Sequence, residues 1–333
     1  MRFLKLIAVS AAVLALAAPA AAQQKVYRIG AAVYGLKGEF MQLWANALKE
    51  HPAVKDGSVK ITVFDGKYDA QTQNNQFDTM ITQKFDGILF VPIDSQAGAQ
   101  AVDKAVAAKI PVVGSNARVN SEKLVSYVGS DDTVAGALEA ETVIKAMGGK
   151  GNVLIIEGPI GQSAQIERRK GNQTVVARYR DVNVLEMKTA NWSRAEALAL
   201  MENWLTVHAG KIHGIIGQND EMALGAIDAL KARGLSPKSI PVAGIDGISD
   251  AIKAVKEGTM VSILQDAQGQ AQGGLDVLLR HLVGPGYKPR ATVWEDYARE
   301  GLYWGDGTAR QYNVPWTRIT LQNADALLVK RSK

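Results

Sequence analysis

Hydrophobic residues fall in short runs along most of the chain, and each run is followed by a segment with helical spacing of apolar positions. The runs 88–92 and 153–156 contain consecutive apolar residues, which is typical of strands buried on both faces. The segments between the runs repeat apolar residues every three or four positions and therefore predict amphipathic helices. Strands that alternate with helices predict parallel sheets joined by right-handed crossovers.

This pattern places the individual elements. The expected strands are 26–33, 59–64, 86–91, 110–114, 125–128, 152–156, 184–187, 212–216, 242–245 and 260–264. The expected helices are 39–49, 70–84, 96–108, 132–147, 163–179, 193–208, 220–233, 249–257 and a last one that ends at 282. Ser193 and Glu196 have the spacing of a capping box at a helix start, and Gly258 is placed to end a helix.

About ten strands are more than one open sheet usually holds, so the sequence predicts two lobes. We expect an α/β fold of two doubly wound parallel-sheet lobes joined by a hinge. One lobe comprises 23–130 and about 267–300, and the other comprises 131–266 and about 314–325. The first break falls at Gly129, where polar residues interrupt the alternation.

The stretch 284–313 departs from this alternation. It is rich in aromatic residues, among them Trp294, Tyr297 and Trp304, and it has no clear period. We expect it to be an insertion that packs over the hinge. A final strand within 316–324 is expected only from the family resemblance given below.

Residues 1–22 have the composition of a secretory signal. Arg2 and Lys5 precede an apolar run, and small residues lead to an expected cleavage site after Ala22. The apolar run is shorter than the roughly 20 residues that cross a bilayer, which argues against a membrane anchor. We therefore expect the signal to be cleaved and the remaining chain to be exported.

The composition excludes several classes of site. The chain has no cysteine, which rules out disulfides, iron–sulfur clusters, thiolate zinc sites and cysteine nucleophiles. Its four histidines are scattered without metal-ligand spacing, so we expect no metal and no cofactor. The formal net charge of +5 includes Arg2 and Lys5, and the basic residues do not cluster, so we expect no nucleic-acid partner.

The residues just after each strand are the first candidates for a site, because doubly wound sheets bind ligands beyond the carboxyl ends of their strands. These positions hold carboxylates, amides, a guanidinium and aromatic rings. The candidate ligand-binding residues are Tyr34, Phe40, Met41, Asp94, Asn116, Arg168, Trp192, Asn219, Asp246, Gln265 and Asp266. Such groups suit an uncharged, polyhydroxylated ligand, since hydroxyls both donate and accept hydrogen bonds and rings cover C–H faces.

Several candidates also have a purely structural interpretation. Asn219 and Asp94 have the position and chemistry of helix N-caps. Trp192 stands where a hydrophobic staple would pack, directly before Ser193. The spacing of Arg168 alone suggests a solvated helix face. What favours a site is that all candidates share one sheet edge.

Four segments resemble a known family: 218–226 (Gln-Asn-Asp-Glu-Met-Ala-Leu-Gly-Ala), 244–247 (Gly-Ile-Asp-Gly), 92–95 (Pro-Ile-Asp-Ser) and 161–168. They resemble the periplasmic sugar-binding proteins of the ribose-binding type, the substrate-binding components of ABC importers, and the resemblance covers about 26–282. It implies a type I periplasmic binding protein fold without catalysis. It further implies a monosaccharide or sugar alcohol as ligand, a membrane permease as partner and a monomeric protein.

The resemblance also implies roles for single residues. The aromatic pair of the family corresponds to Phe40 and Met41, so one ring is absent here. The residues that match the family's arginine, its stacking aromatic, its asparagine and its turn aspartate are Arg168, Trp192, Asn219 and Asp246.

Three positions depart from the ribose binders or leave the match open. Asn116 and Ala117 replace an Asp-Arg pair, and Tyr34 replaces a small polar residue, which argues against ribose itself. The hinge glutamine corresponds to Gln265, with Asp266 as the alternative because the match needs a one-residue gap.

Two other functions are considered. The carboxylates of Asp246 and Asp94 could form a glycosidase pair, but the chain has no nucleophile elbow and no P-loop, and we expect no enzyme. A receptor for a signal molecule or nucleoside on the same fold is the alternative within the binding class.

Overall fold

Two sheets, each flanked by helices, form the framework of residues 25–331, the part of the chain that the computed structural model describes. The expected signal, 1–22, lies outside these residues. Each sheet has six strands, in the orders β11-β5-β4-β3-β1-β2 and β12-β10-β9-β8-β6-β7. All pairs are parallel except β10 with β12. This confirms the predicted α/β architecture of two doubly wound lobes.

The strands agree closely with the hydrophobic runs. They are β1 Tyr27–Val33, β2 Val59–Asp65, β3 Gly87–Val91, β4 Val112–Ser115, β5 Ser126–Gly129, β6 Gly151–Glu157, β7 Val182–Thr189, β8 Gly214–Gly217, β9 Val242–Asp246, β10 Val261–Leu264, β11 Gln311–Asn313 and β12 Thr317–Arg318. The central strands β3, β8 and β9 are buried along their whole length, as strands covered on both faces must be.

The long helices also lie where the apolar spacing predicts them. They are α1 Glu39–Lys49, α3 Ala70–Thr82, α4 Ser95–Ala107, α5 Asp132–Ala146, α6 Ser163–Val176, α7 Arg194–Val207, α8 Asp220–Ala232, α9 Ser249–Glu257 and α10 Ala267–Val283. Three shorter helices, α2 Pro52–Lys55, α11 Val293–Asp296 and α12 Ala324–Arg331, were not predicted. Short 3-10 helices lie at Pro237–Ser239 and Ala298–Glu300. No helix among residues 25–331 combines the length and the apolar character that crossing a bilayer would require.

The first lobe, here called the N-lobe, is built on the β1–β5 sheet. Helices α1 and α10 cover one face of this sheet and α3 and α4 cover the other. The second lobe, the C-lobe, has α5 and α6 on one face of its sheet and α7 and α8 on the other.

Helices α5 and α6 cross at unusually close range because glycine occupies both sides of the crossing. A Cβ atom at Gly136 would lie 2.2 Å from the carbonyl oxygen of Arg168, and one at Gly171 would lie 2.2 Å from that of Thr133. This approach brings the Arg168 side chain next to Asp132 at the start of α5.

The chain passes between the lobes near residues 130, 265 and 315. Strand β11 joins the N-lobe sheet beside β5, and β12 joins the C-lobe sheet beside β10. The stretch expected as an aromatic insertion packs on the N-lobe, where Tyr297 donates to Asp266 at the second crossing. The lobe limits given above remain our proposal.

One carboxylate anchors this aromatic stretch to the N-lobe. Asp276, fully buried in α10, accepts hydrogen bonds from the side chains of His51, Tyr287 and Trp294 and from the backbone N–H groups of Arg290 and Ala291. Behind it, the rings of Trp294, Trp304 and Tyr312 pack on one another.

The prediction of a final strand over 316–324 is wrong about its length. Strand β12 covers two residues, and the chain then turns where the Thr320 N–H donates to the side chain of Asn323. Helix α12 follows and packs on α9. A turn closed by its own side chain prevents the strand from continuing, and the helix lies outside the region in which we expected regular structure.

Candidate ligand-binding site

A cavity of about 240 Å³, which includes space open to solvent, lies between the lobes at the carboxyl ends of both sheets. It is lined by Tyr34, Phe40, Asn116, Gln162, Ala164, Arg168, Trp192, Asn219, Asp246 and Gln265.

The N-lobe contributes two rings and one amide. Tyr34 follows β1, Phe40 is the second residue of α1, and Asn116 follows β4. The Asn116 amide donates to the side chain of Gln270 at 3.2 Å, so its other polar atoms remain for the cavity. Burial raises the pKa of Tyr34 well above its usual value, and its hydroxyl therefore stays protonated.

Arg168 is the cation of the C-lobe wall. It is 3% exposed, which contradicts the solvated helix face that its spacing alone suggests. Its guanidinium donates to Asp132 at 2.7 Å, to the carbonyl of Gln218 and to the side-chain oxygen of Gln265 at 3.3 Å. Burial lowers the pKa of Arg168 and the charges of Asp132 and Asp246 raise it, with a net upward shift, so the group is charged.

Trp192 is held in one orientation by three contacts. Its indole N–H donates to the side-chain oxygen of Gln162 at 2.6 Å, and its ring centroid lies 5.4 Å from the Arg168 guanidinium. The ring also packs so closely on Gly158 that a Cβ there would lie 2.0 Å from it. The backbone of Trp192 has a φ of 59°, a left-handed conformation that turns the side chain toward the cavity wall.

Asp246 ends β9 in a strained conformation, with a φ of 128°. Such outliers persist where the surrounding structure enforces them and cluster at functional sites. Here Asp220 enforces the turn, because its carboxylate accepts from the N–H groups of Gly247 and Ile248 and from the hydroxyl of Ser262. Burial raises the pKa of Asp246 well above its usual range, while Arg168 opposes the shift.

Asn219 and Gln265 each accept a hydrogen bond from the protein through the side-chain amide oxygen. The oxygen of Asn219 caps α8 by accepting from the N–H of Met222 at 2.9 Å, and the oxygen of Gln265 accepts from Arg168. Asn219 is therefore both the N-cap and a cavity residue, so its two interpretations are compatible.

Besides the side-chain oxygen of Asn116, four polar groups on the cavity-lining residues have no hydrogen-bond partner within residues 25–331. They are the Tyr34 hydroxyl, the Asn219 amide nitrogen, the Asp246 carboxyl group and the Gln265 amide nitrogen. The Gln265 nitrogen is fully buried, and leaving such a group unpaired costs roughly 1–3 kcal/mol, so the set favours a partner that both donates and accepts.

The two lobes touch around the cavity. The side-chain nitrogen of Gln162 donates to the carbonyl of Pro92 at 2.9 Å, and the N–H of Arg118 donates to the hydroxyl of Ser163 at 2.6 Å. On another side, the carboxylate of Glu39 accepts from Ser249. The cavity is thus enclosed by contacts that join opposite lobes.

A larger groove lies outside the cavity, at the mouth of the cleft. It has a volume of about 1740 Å³, which includes space open to solvent. Trp192 borders both spaces, and Tyr68, Pro159 and Glu221 belong to the outer one.

Three of the predicted site residues are placed elsewhere. Met41 is 1% exposed and packs in the N-lobe core. Asp94 caps α4, accepting from the N–H groups of Gln96 and Ala97, and Asp266 caps α10 while accepting from Tyr297. None of the three lines the cavity, because their side chains turn back toward their own helices or core.

The structure adds two residues that were not among the candidates, Gln162 and Ala164. Both lie at the start of α6, after the glycine-containing turn that follows β6. That position at a strand end was the signal that could have identified Gln162. Within residues 25–331 no cluster of three or more acidic or histidine side chains is arranged to hold a metal ion.

The arrangement can bind a small molecule that carries several hydroxyls. The charged and amide groups of the C-lobe supply donors and acceptors, and the rings of Phe40 and Trp192 supply apolar surfaces. Asp94 does not line the cavity with Asp246, so the two acids do not form the pair that a glycosidase would need there.

Comparison with known proteins identifies the family to which this architecture corresponds. Residues 29–286 match the family model described as periplasmic binding protein domain. A xylitol-binding protein of Mycolicibacterium smegmatis is 36% identical over 258 residues, which are 77% of this chain and 72% of the relative.

Two solved structures are similar over nearly their whole length. An ABC transporter solute-binding protein from Bacillus halodurans with bound myo-inositol has a TM-score of 0.80 and 29% identity, covering 93% of this chain and 99% of that one. An ABC transporter periplasmic solute-binding protein from Actinobacillus succinogenes with bound D-allose has a TM-score of 0.75 and 27% identity, covering 90% and 99%.

Proposed function

The chain belongs to the periplasmic binding protein family, and from this premise we propose that it captures a monosaccharide or sugar alcohol as the substrate-binding component of an ABC importer. The observation that supports this most is the set of unpartnered groups in the cavity: the Tyr34 hydroxyl, the Asn219 and Gln265 amide nitrogens and the Asp246 carboxylate. Vicinal hydroxyls satisfy such a mixed set of donors and acceptors.

The ligands of the relatives agree with this chemistry. Xylitol, myo-inositol and D-allose are all small, uncharged and rich in hydroxyls, and the proteins named for them or solved with them share this family or fold. We propose the same ligand class here. The residues we assign to ligand contact are the ten that line the cavity, so Gln162 and Ala164 replace Met41, Asp94 and Asp266.

The membership in this family supports a periplasmic location. We propose further that residues 1–22 are cleaved as a signal, that the mature protein is monomeric, and that its partner is a membrane permease which recognises the two lobes in contact. A permease can distinguish the ligand-bound protein in this way when the ligand shifts the population toward contact between the lobes.

A receptor for a nucleoside or a signal molecule is not favoured. The cavity wall contains one arginine, which is already paired with Asp132. The family consists of solute-binding proteins rather than enzymes, and we expect no turnover of bound sugar.

The test is a thermal-shift screen of the mature chain against xylitol, myo-inositol, ribose and D-allose, with adenosine as the nucleoside. A ligand at 100 times its Kd should stabilise the fold by about 2.7 kcal/mol, which a melting curve detects readily. The shift should disappear in Trp192→Ala, since that ring borders the cavity. Tyr303→Ala is the matched control, because Tyr303 is an aromatic residue that is 65% exposed.

A shift with adenosine and with none of the sugars or polyols would overturn the proposal. So would a polyol shift that persists in Trp192→Ala, because binding would then occur outside this cavity.

A further inference from the structure

Most helices that begin at the cleft are capped by a side chain from their own N-cap residue. Asp94, Asp131, Ser193, Asn219 and Asp266 each accept a backbone N–H from the first turn of the helix that follows. This is the common way to satisfy the free N–H groups of a helix start.

Helices α1, α6 and α9 differ from this rule. The N-cap residue of α6, Gln162, uses its side chain for Pro92 and Trp192. The N-cap residues of α1 and α9 are Gly38 and Ile248, and neither provides a side-chain hydrogen bond. Glycine has no side chain, and isoleucine has no polar atom in its side chain. These two helix starts face each other from opposite lobes, beside the cavity.

The missing caps are exchanged between the lobes. The Glu39 carboxylate, from the N-lobe, accepts from the N–H of Ser249 at 2.9 Å and from the Ser249 hydroxyl. In return, the Glu221 carboxylate of the C-lobe accepts from the N–H of Glu39, at a longer distance of 3.5 Å. Glu39 thus caps α9, and Glu221 caps α1 more weakly.

We propose that Glu39, Ser249 and Glu221 form an interlobe latch that sets ligand affinity without contacting the ligand. The proposal rests on the proposed function, because it assigns these residues to stabilising the arrangement in which the cavity is enclosed. None of the three lines the cavity, and Glu221 borders the outer groove instead.

The position of the latch links it to the ligand-binding residues. Glu39 directly precedes Phe40, and Ser249 lies three residues after Asp246, on the turn that Asp220 holds. A ligand that contacts both Phe40 and Asp246 therefore brings the two halves of the latch together. When the lobes separate, the Ser249 N–H and the Glu39 N–H lose these acceptors.

The stabilisation that the two carboxylates give to the helix starts is partly offset by the repulsion between them. A carboxylate at a helix N-terminus is stabilising, both as a hydrogen-bond acceptor and through the helix dipole. Glu39 and Glu221 also repel each other, and Arg331 offers a compensating positive charge near Glu39. Since loss of a helix cap typically costs about 1 kcal/mol, removing the Glu39 carboxylate should raise the ligand Kd about fivefold.

The experiment uses the absence of cysteine from the chain. Asn75→Cys in α3 and Ala199→Cys in α7 introduce exposed labelling sites, one in each lobe, for a fluorescence energy-transfer measurement of lobe separation. Xylitol and myo-inositol are the probes, and calorimetry measures their Kd. Each measurement is made on the parent, Glu39→Ala, Ser249→Ala and their double variant.

Asp250→Ala is the matched control. Asp250 is also acidic and lies in the first turn of α9, but its ion pairs with Arg194 and Lys253 stay within the C-lobe.

We expect Glu39→Ala to lower the fraction of protein with the lobes in contact when no ligand is present, and to raise Kd about fivefold. Ser249→Ala should have a smaller effect, because its N–H remains. The double variant should lose less than the sum of the single effects.

The two proposals fail in different ways. If Glu39→Ala leaves both lobe separation and Kd at the Asp250→Ala values while Asp246→Asn raises Kd strongly, the latch is wrong and the proposed function stands. If the parent binds neither probe and no sugar in the thermal-shift screen, the proposed function fails. The latch is then judged by lobe separation in ligand-free Glu39→Ala, where no change from the parent would overturn it.

Discussion

The two lobes contribute unequally to the cavity between them. The N-lobe provides Tyr34, Phe40 and Asn116, which are two rings and an amide. The C-lobe provides the Arg168 guanidinium and the Asp246 carboxyl group, together with further amides and the Trp192 ring. The hydrogen-bonding chemistry is thus concentrated in one half of the molecule, and the other half closes over it with a mainly apolar surface.

The difference extends behind the cavity wall. Arg168 is connected through Gln218 to the buried side chains of Asn172 and Glu139 in the C-lobe. Such a network holds the guanidinium in place before any ligand arrives. Preorganisation of this kind reduces the loss of conformational freedom on binding. We infer that the C-lobe selects the ligand and that the N-lobe mainly encloses it.

Each lobe also buries an acid away from the cavity, and the two acids have opposite pKa shifts. Asp276 of the N-lobe receives hydrogen bonds from three side chains and two backbone N–H groups, and its pKa is lowered although burial alone would raise it. Glu139 of the C-lobe receives one, from Asn172, and burial raises its pKa to about 8. The number of donors decides which form of a buried acid is stable.

Replacing Arg168 with methionine should reduce stability and ligand binding more than any other change to the cavity wall. Arg168→Met leaves Asp132 buried without its charged partner, which should lower the free energy of unfolding by about 3–5 kcal/mol and abolish ligand binding. Urea denaturation and calorimetry measure the two effects. Lys170→Met, on the exposed side of the same helix, should change neither. A stable Arg168→Met protein that still binds would refute the central role of the C-lobe network.

The buried acids predict opposite pH dependences. The folded state keeps Glu139 protonated while the unfolded chain ionises it above its usual pKa of 4.5, so its contribution to stability is lost as the pH rises toward 8. Glu139→Gln removes this titration. From about pH 5 to pH 8, the unfolding free energy of the parent should fall relative to the variant by up to about 1.4 kcal/mol per pH unit.

Asp276→Asn is the N-lobe counterpart. Because the folded pKa of Asp276 is lowered, its contribution is present at neutral pH and is lost as the pH falls below the usual value of 3.8. The stability difference between the parent and Asp276→Asn should therefore shrink on acidification. Equal slopes for the Glu139 and Asp276 variants in urea denaturation across pH 3–9 would contradict the comparison.

Asp246→Asn should weaken binding strongly with little effect on the fold. The substitution replaces an acceptor oxygen with an NH2 donor and leaves a buried ligand hydroxyl unsatisfied, which costs roughly 1–3 kcal/mol, so the Kd of the best polyol should rise about 5- to 100-fold. Calorimetry gives the Kd and a melting curve gives the stability. Asp250→Asn, an exposed acid on α9, is the control. An unchanged Kd in Asp246→Asn would remove Asp246 from the site.

Tyr34→Phe should have the smallest effect, as a change on the N-lobe wall that removes one neutral hydroxyl. A neutral hydrogen bond contributes about 0.5–1.5 kcal/mol, which predicts a two- to tenfold rise in Kd. Tyr27→Phe is the control and should leave Kd unchanged, because Tyr27 lies at the opposite end of β1 from Tyr34. A larger loss in Tyr34→Phe than in Asp246→Asn would reverse the assignment of recognition to the C-lobe.

The α/β architecture followed directly from the hydrophobic pattern, because most buried strands contain a run of apolar residues and most helices repeat apolar residues every three or four positions. Helices α1 and α9 begin and end at the expected residues. The sheet edge that holds the cavity was also predictable, since parallel strands end together. Eight of the candidates, from Tyr34 to Gln265, meet in one cavity for that reason.

The remaining details depend on side-chain direction, which spacing does not determine. Asp94 and Asn219 are both N-caps after a strand, yet Asn219 borders the cavity and Asp94 does not. The aromatic stretch could not be placed either. Its position depends on Asp276, a residue inside α10 that accepts from His51, which is distant in the sequence, and from four groups that follow 11–18 residues later.

The order of the strands has a consequence for how the molecule is made. The N-lobe sheet begins with β1 but is completed by β11, and α10 covers one of its faces only after the whole C-lobe sequence up to β10 has been synthesised. Because synthesis proceeds from the N-terminus, neither lobe can complete its sheet until almost the whole chain has been made. Contacts so distant in sequence form slowly. For an exported chain, this delay favours translocation of the unfolded polypeptide before either lobe has folded. The two sheets are completed only when β11 and β12 have joined them.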